Sequence, residues 1–369
     1  MVKIIIRYII TYSCNNITNM VVISSMKTPH AALIASGFFL ATLAPASALA
    51  QTSLKVVASI KPIHSLVAGV MQGVGKPELI VDGASSPHTH HLRPSQARDI
   101  QAATMVFWMG PHMEAFLDKP LHSLGQSATI VALSEAPGLN RLELREGGAF
   151  ESHDHDEADG HDEADGHDEA EGHEAAEEHH EDDDHEAHAS HEHHEEETDL
   201  HSWLDPENAK KLVSEIEKSL SAADPSHAEQ YQANATALTA RLDELTEQVD
   251  LMLAPVRDRP FVVFHDAYQY FEKRFGLSAA GSITVSPDVI PGAERVAEIQ
   301  DRIQQLDVTC VFAEPQFEPK LISVVMEGSN AHSGVLDPLG SQIENGPDLY
   351  FTLIRTMAQN VRECLSDND

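Results

Sequence analysis

The chain has 369 residues, 42% of them hydrophobic, with 59 acidic and 24 basic side chains and a formal charge of −35. That length allows two ordinary domains, each able to bury its own core, and the charge makes nucleic acid and anionic membrane surfaces poor partners. The acidity is local: residues 151–197 hold 23 Asp or Glu, 12 His and no Lys or Arg, and removing those acids from the total leaves only −12.

Residues 1–50 read as targeting rather than fold. Lys27, the apolar run Ala31 to Leu43, and Ala48-Leu49-Ala50 before Gln51 form a secretory signal of ordinary length when counted from Met26. Residues 1–25 then read as an over-extended start and 26–50 as the signal peptide. The apolar run is too short to span a bilayer comfortably. No Cys follows the cleavage position, so the expectation is a cleaved, exported, soluble chain without a lipid anchor. Beyond the leader only Cys310 and Cys364 remain. An even pair in an exported chain suggests a disulfide, with two buried thiols as the alternative.

Short apolar runs then alternate with helical patterns. The strand candidates are 54–59, 78–81, 104–109 and 128–133, followed, beyond the acidic segment, by 260–264, 279–285, 308–313 and 334–336. Between them, Val296, Ile299, Ile303 and Leu306 recur at helical spacing. Such alternation argues for an α/β fold of two lobes, each a parallel sheet covered by helices. Asp224-Pro225 reads as a helix start. Tyr231, Ala235, Leu238, Leu242, Leu245, Val249 and Met252 then extend one apolar stripe to Pro255, which predicts a single helix of roughly 30 residues, about 45 Å long. A helix of that length linking the lobes would stiffen them against large hinge closure. The division expected is an N-terminal lobe over 51–223, a linking helix over 224–255 and a C-terminal lobe over 256–369.

The segment 151–197 is an insert in the first lobe. Its core repeats every six residues, as in His155-Asp156-Glu157-Ala158-Asp159-Gly160. A chain so charged and so poor in apolar groups cannot offset its ordering entropy, and disorder is expected. A solvating linker does not need histidine at this density, whereas imidazole and carboxylate together suit borderline divalent metals. Auxiliary weak metal sites are therefore expected at His153, His155, His161, His167, His173, His179, His180, His185, His188, His191, His193 and His194.

A tighter site is sought among isolated histidines near strand ends, because open α/β sheets bind ligands outside the carboxyl ends of their strands. His265-Asp266 follows the apolar run Phe261–Phe264, and Asp337-Pro338 follows Gly334–Leu336. In the first lobe, Val81-Asp82-Gly83 leads to Pro87-His88-Thr89-His90-His91, and His201 precedes Trp203-Leu204 and a helix opened by Asp205-Pro206. Singly, each such histidine is more often structural or exposed than a ligand; four such positions in matched places shift the balance toward a site.

At this point the chain resembles the ZnuA-type zinc-binding proteins of bacterial ABC importers. The resemblance is carried by Ala58-Ser59-Ile60-Lys61-Pro62, His88 with Leu92-Arg93-Pro94-Ser95, Gly110-Pro111 with Met113-Glu114-Ala115-Phe116, and His201-Ser202-Trp203-Leu204-Asp205-Pro206. It continues in Phe264-His265-Asp266-Ala267-Tyr268, Phe312-Ala313-Glu314-Pro315-Gln316-Phe317 and Leu336-Asp337-Pro338-Leu339-Gly340, and it covers nearly the whole mature chain. It implies two α/β lobes joined by a long helix, with Zn2+ as the transported ligand in the cleft. The metal ligands it implies are His88, His201 and His265. Some members add a carboxylate before the first histidine, where this chain has Pro87, so the fourth ligand is open among water, Asp337 and His90, with Asp337 or water favoured. His112, where a Glu is familiar, reads as a partly exposed helix-end residue. The resemblance also implies the pairing of Cys310 with Cys364, a periplasmic location, a membrane permease as partner and a monomeric protein.

Three imidazoles suit zinc, which accepts nitrogen ligands in a tetrahedron, better than they suit a harder, oxygen-seeking ion. The same set plus water could serve a zinc hydrolase, but the chain has no HExxH helix, no serine nucleophile elbow and no phosphate loop. A permease-independent metal-buffering or adhesive surface protein is the other alternative.

Overall fold

The eight apolar runs become eight strands, and the helices between them cover both faces of two sheets. The computed structural model describes residues 54–145, 150, 198–284, 291–317 and 320–366. The proposed leader at 1–50, the insert at 151–197 with all twelve of its histidines, and Val285 lie outside the described residues. No helix among the described residues is long and apolar enough to cross a membrane.

The first lobe holds β1 (Val56–Ile60), α1 (Lys61–Val70), β2 (Glu78–Val81), α2 (Pro94–Ala102), β3 (Met105–Trp108), α3 (Ala115–Leu124) and β4 (Thr129–Ala132). Then follow α4 (Pro206–Ala223) and α5 (Ala228–Leu253). The second lobe holds β5 (Phe261–His265), α6 (Gln269–Phe275), β6 (Gly281–Thr284), α7 (Ala293–Gln305), β7 (Cys310–Ala313), α8 (Lys320–Val325), β8 (His332–Val335) and α9 (Leu349–Leu365). Both sheets are wholly parallel, with orders β2-β1-β3-β4 and β6-β5-β7-β8. The central strands β1, β3 and β5 are buried at every residue, which is why they read as continuous apolar runs rather than as alternation.

Local chemistry sets the boundaries. Helices α1, α2 and α4 begin on a proline in the first turn, where the missing N–H costs nothing. Asp205 caps α4 by accepting from Glu207 N. Helix α6 ends on Gly276, whose φ of 70° is the left-handed conformation such a stop requires. Asp224-Pro225 opens a short 3-10 turn, Pro225–His227, and α5 proper starts after it and runs 26 residues, with a second 3-10 turn at Ala254–Val256. Its buried face is Tyr231, Leu238, Leu242, Leu245, Val249 and Leu253.

Strand β5 shows how the second sheet divides its burial. Phe261 and Val263 join a large core that runs continuously through both lobes, α5 and α9, whereas Val262 and Phe264 join a smaller one with Ile283, Ile299, Ile303, Val311, Ile322 and Val325. Cys310 and Cys364 form a disulfide that ties β7 to α9. Beside it stands Gly334, where a Cβ would approach the Phe312 ring to 2.5 Å and the Cys364 sulfur to 3.2 Å, so no larger residue fits at that step of β8.

In each sheet the second strand lies on one side of the first and the third strand on the other. The crossover reverses between β1 and β3 and again between β5 and β7, leaving a crevice at the carboxyl ends of each pair. Polar contacts close the lobes around that region. Trp203 Nε1 donates to Pro338 O at 3.0 Å, Lys61 Nζ to Ile343 O at 2.8 Å and to Ser341 O at 3.2 Å, and Tyr350 Oη to Trp203 O at 2.6 Å.

Candidate metal centre

His265 is the last residue of β5, 4% exposed, and sits at the reversal point of the second sheet. Glu314 follows β7, the neighbouring strand, so the topology itself brings the two side chains together. Glu314 Oε1 lies 2.5 Å from His265 Nδ1. With Nδ1 paired, His265 Nε2 is left buried without a partner. A buried polar atom of that kind needs an explanation, and a metal ion supplies one. A carboxylate on the far nitrogen of a ligand histidine fixes its tautomer and raises its basicity.

His201 precedes the 3-10 turn Ser202–Leu204 and repeats the same pattern. Its Nδ1 and its backbone N both meet Asp199 Oδ1, at 2.9 and 3.0 Å. Asp199 is held in turn by Tyr270 of α6, whose hydroxyl accepts from Leu142 N at 3.0 Å and donates to Asp199 O at 2.9 Å. Around it, Glu143 and Thr198 pair in an antiparallel bridge, Gln269 Nε2 donates to Glu143 O, and Arg145 pairs with Asp266 and Glu272. The two roots of the insert are thus pinned to α6, beside both His201 and His265.

His88 completes the group from a loop after β2. Its backbone N donates to Ser86 Oγ at 3.3 Å, and among the described residues no carboxylate pairs with its ring. The ring centroids stand 5.8 Å (His88–His201), 6.3 Å (His88–His265) and 5.3 Å (His201–His265) apart, and one nitrogen of each ring lies within 4.8 Å of the others. Ligands on a tetrahedral zinc stand about 3.3 Å apart, given bonds of about 2.0–2.1 Å. The three imidazoles are therefore close to a binding geometry that small ring rotations would complete.

Burial and the two neighbouring imidazoles hold His88 far below the usual histidine range, at about 3, so it is neutral and ready to donate a lone pair. Burial opposes charge on His265 too, but the Glu314 carboxylate outweighs it and the net shift is upward. The cavity is walled by Ser86, Pro87, Trp203, Glu314, Gln316, Phe317, Pro338 and Leu339 besides the three histidines. Phe317 stacks on Phe264 at 4.7 Å and meets His265 edge-on. Such largely apolar walls strengthen every electrostatic contact inside.

The remaining site candidates lie outside this group and have other partners. Asp337 is not in the three-membered group, and both its oxygens are engaged. Oδ1 accepts from Leu339 N, Gly340 N and Gln316 Nε2, and Oδ2 from Ser341 N and Ser341 Oγ. It anchors the turn after β8. His90 meets Gln96 Oε1 at 3.3 Å and packs on Phe116, also outside the group. Sequence reasoning did not pick out Asp199 or the pairing of Glu314 with His265. The first stands two residues before a candidate ligand and so carried a positional signal; the second depends on β7 lying beside β5, which the sequence does not show.

A model of the family described as "Zinc-uptake complex component A periplasmic" (ZnuA) matches residues 56–364. The chain is 55% identical over 341 residues to the high-affinity zinc uptake system protein ZnuA of Brucella suis, spanning 92% of this chain and all of that protein. Against the protein of the same name from Paracoccus denitrificans it is 41% identical over 312 residues, 84% of this chain and 91% of that one. Among solved structures, a crystal structure of ZnuA aligns with a TM-score of 0.65 at 21% identity, covering 85% of this chain and 100% of that one. The periplasmic zinc binding protein TroA from Treponema pallidum aligns with a TM-score of 0.65 at 19% identity, over 85% and 99%. At such identities these likenesses show the two-lobed fold.

Proposed function

Since this chain belongs to the ZnuA family of periplasmic zinc-uptake components, we propose that His88, His201 and His265 are the ligands with which it captures zinc. Its function is high-affinity zinc uptake, and zinc is its cargo rather than a resident cofactor. The observation that carries the ligand assignment is the convergence of three ring nitrogens within 4.8 Å of one another, in a group where His265 Nε2 is buried and unpartnered.

The chemistry of capture follows from that arrangement. Asp199 and Glu314 hold the Nδ1 atoms of His201 and His265, which presents Nε2 of each ring to the ion and lends it negative charge from behind. His88 adds a third neutral imidazole. Such a donor set favours zinc over ions that seek oxygen. The family is one of transport proteins rather than hydrolases. Glu314, the residue best placed to act as a base, is already paired with a ligand histidine, which argues against catalysis.

Further parts of the reading are a cleaved signal peptide at 26–50, no lipid anchor, a monomeric protein, delivery to the membrane permease of an ABC importer, and weak zinc binding along 151–197. Expression in a bacterium lacking its own zinc-uptake binding protein tests the function in zinc-depleted medium. The wild-type chain should restore growth, and the triple variant His88→Ala, His201→Ala, His265→Ala, exported to the same level, should not. Rescue by the triple variant would contradict the ligand assignment.

A further inference from the structure

Three histidines leave a tetrahedral zinc one ligand short, and the wall of the cavity contains a residue with an unpartnered acceptor. Gln316 donates from Nε2 to Asp337 Oδ1 at 2.9 Å. Its Oε1 is buried and has no partner, and the residue lines the same cavity as the three imidazoles. Which end of an amide points where is often ambiguous, but here it is fixed. Asp337 already accepts from Leu339 N, Gly340 N, Ser341 N and Ser341 Oγ, so it acts as an acceptor and only the amide nitrogen of Gln316 can face it. The oxygen is thereby turned away from Asp337, and a buried acceptor without a donor is costly.

We propose that Gln316 is a positioning residue for the cargo, its side-chain oxygen accepting a hydrogen bond from a water molecule that serves as the fourth zinc ligand. The inference rests on the assignment of His88, His201 and His265. Water is preferred to direct coordination because structural and catalytic zinc sites draw on thiolate, imidazole and carboxylate, not on side-chain amides. Zinc polarises a bound water and makes it a strong donor, which matches an orphaned neutral acceptor. An amide oxygen can receive that hydrogen bond but cannot carry the proton away, so it holds the water as a ligand without making it a nucleophile. Asp337 then acts at one remove, by setting the orientation of Gln316.

The test uses the full chain loaded with less than one equivalent of metal, so that weaker sites stay empty. Zinc affinity is measured by chelator competition in the wild type, in Gln316→Met and in Gln316→Glu. Methionine removes both hydrogen-bonding ends at similar size; glutamate keeps an oxygen acceptor but loses the donor to Asp337 and sets a second carboxyl group beside it. The expected order is that Gln316→Met binds zinc about tenfold more weakly and Gln316→Glu at least as tightly as wild type. A residue needed only to brace Asp337 would give the opposite order, with Gln316→Glu equal to or worse than Gln316→Met, and that result would overturn the proposal. Cobalt(II)-loaded wild type should also show a broadened paramagnetic resonance in oxygen-17-labelled water, and no broadening would mean that no solvent oxygen sits on the metal. Unchanged affinity in both Gln316 variants, together with a large loss in His265→Ala, would sink this inference alone. Undiminished affinity in His265→Ala would sink the ligand assignment beneath it.

Discussion

The two sheets share one strand order, and each places a buried glutamate at the crevice where its crossover reverses, yet the two crevices have different chemistry. In the first, Glu114 accepts from Ser59 Oγ and from Met109 N and Gly110 N, joining the ends of β1 and β3. Burial pushes its carboxyl up to about 7 against the pull of those donors. In the second, Glu314 meets His265 Nδ1 at the ends of β5 and β7, and the other imidazole nitrogen is buried without a partner. The topology provides two equivalent crevices, and the partner of the glutamate distinguishes them. Ser59 makes one a structural joint; under the ligand assignment proposed above, His265 makes the other the zinc site.

Substitutions at the two crevices should therefore separate function from stability. His265→Ala should produce the largest loss of zinc affinity, about a thousandfold, taking roughly a third of a binding free energy of about 12 kcal/mol. Glu114→Gln should leave zinc affinity nearly unchanged in the same competition titration. Its effect should appear in metal-free unfolding. A carboxyl whose folded value is raised binds more protons folded than unfolded, so it costs stability as pH rises from about 4.5 toward 7. The amide removes that dependence. Parallel stability–pH curves for wild type and Glu114→Gln would contradict this.

Next in size are the carboxylates behind the ligands. Glu314→Gln and Asp199→Asn should each weaken zinc binding about 10–100-fold, the range for loss of a carboxylate behind a metal-bound histidine. Among the described residues His88 has no such partner, so the three histidines are held unequally: His201 and His265 by carboxylates, His88 without one. If neither carboxylate variant weakened binding, this distinction would have no energetic content.

The pH dependence of zinc affinity should be gentler than three histidines of ordinary basicity would give. Zinc binds only neutral imidazole, so a protonated ligand must lose its proton first. His88, held at about 3, carries none to lose between pH 5.5 and pH 7.5. His265, raised by Glu314 against its burial, does, and affinity falls as pH falls through its value. Fewer than three protons should leave per zinc over that range, and Glu314→Gln should flatten the curve further. A slope of three protons, read from competition titrations at several pH values, would contradict the environment assigned to His88.

The smallest expected effect is that of the insert. Removing 151–197 should leave one tight zinc per chain and abolish any additional weak ones, as counted by calorimetric titration; loss of the tight site would show that the insert, and not the cleft, holds it.

Much of this was legible in the sequence, for definite reasons. Parallel strands buried on both faces, such as β1, β3 and β5, appear as unbroken apolar runs, and the more exposed edge strands were apolar enough to be visible too. The one placed least well was β8, where the apolar signal at 334–336 falls two residues beyond the start of an edge strand, His332–Val335, whose exposed face is weakly patterned. His88, His201 and His265 stood out because the strand-end rule applies to any open α/β sheet. The same rule nominated Asp337 but could not foresee that the backbone amides of Leu339, Gly340 and Ser341 would claim its carboxylate. The pairing of Glu314 with His265 depends on β5 lying beside β7, a fact of sheet order that no local pattern carries.

Whether zinc sits among these three imidazoles is tested most directly by an anomalous-scattering map at the zinc edge from crystals of the loaded protein. One strong peak should appear, bonded to Nε2 of His265, Nε2 of His201 and a ring nitrogen of His88 at about 2.0–2.1 Å, with Asp337 still capping Leu339–Ser341. A principal peak bonded to fewer than two of these histidines, or one that had drawn the Asp337 carboxylate off its turn to replace an imidazole, would contradict that placement.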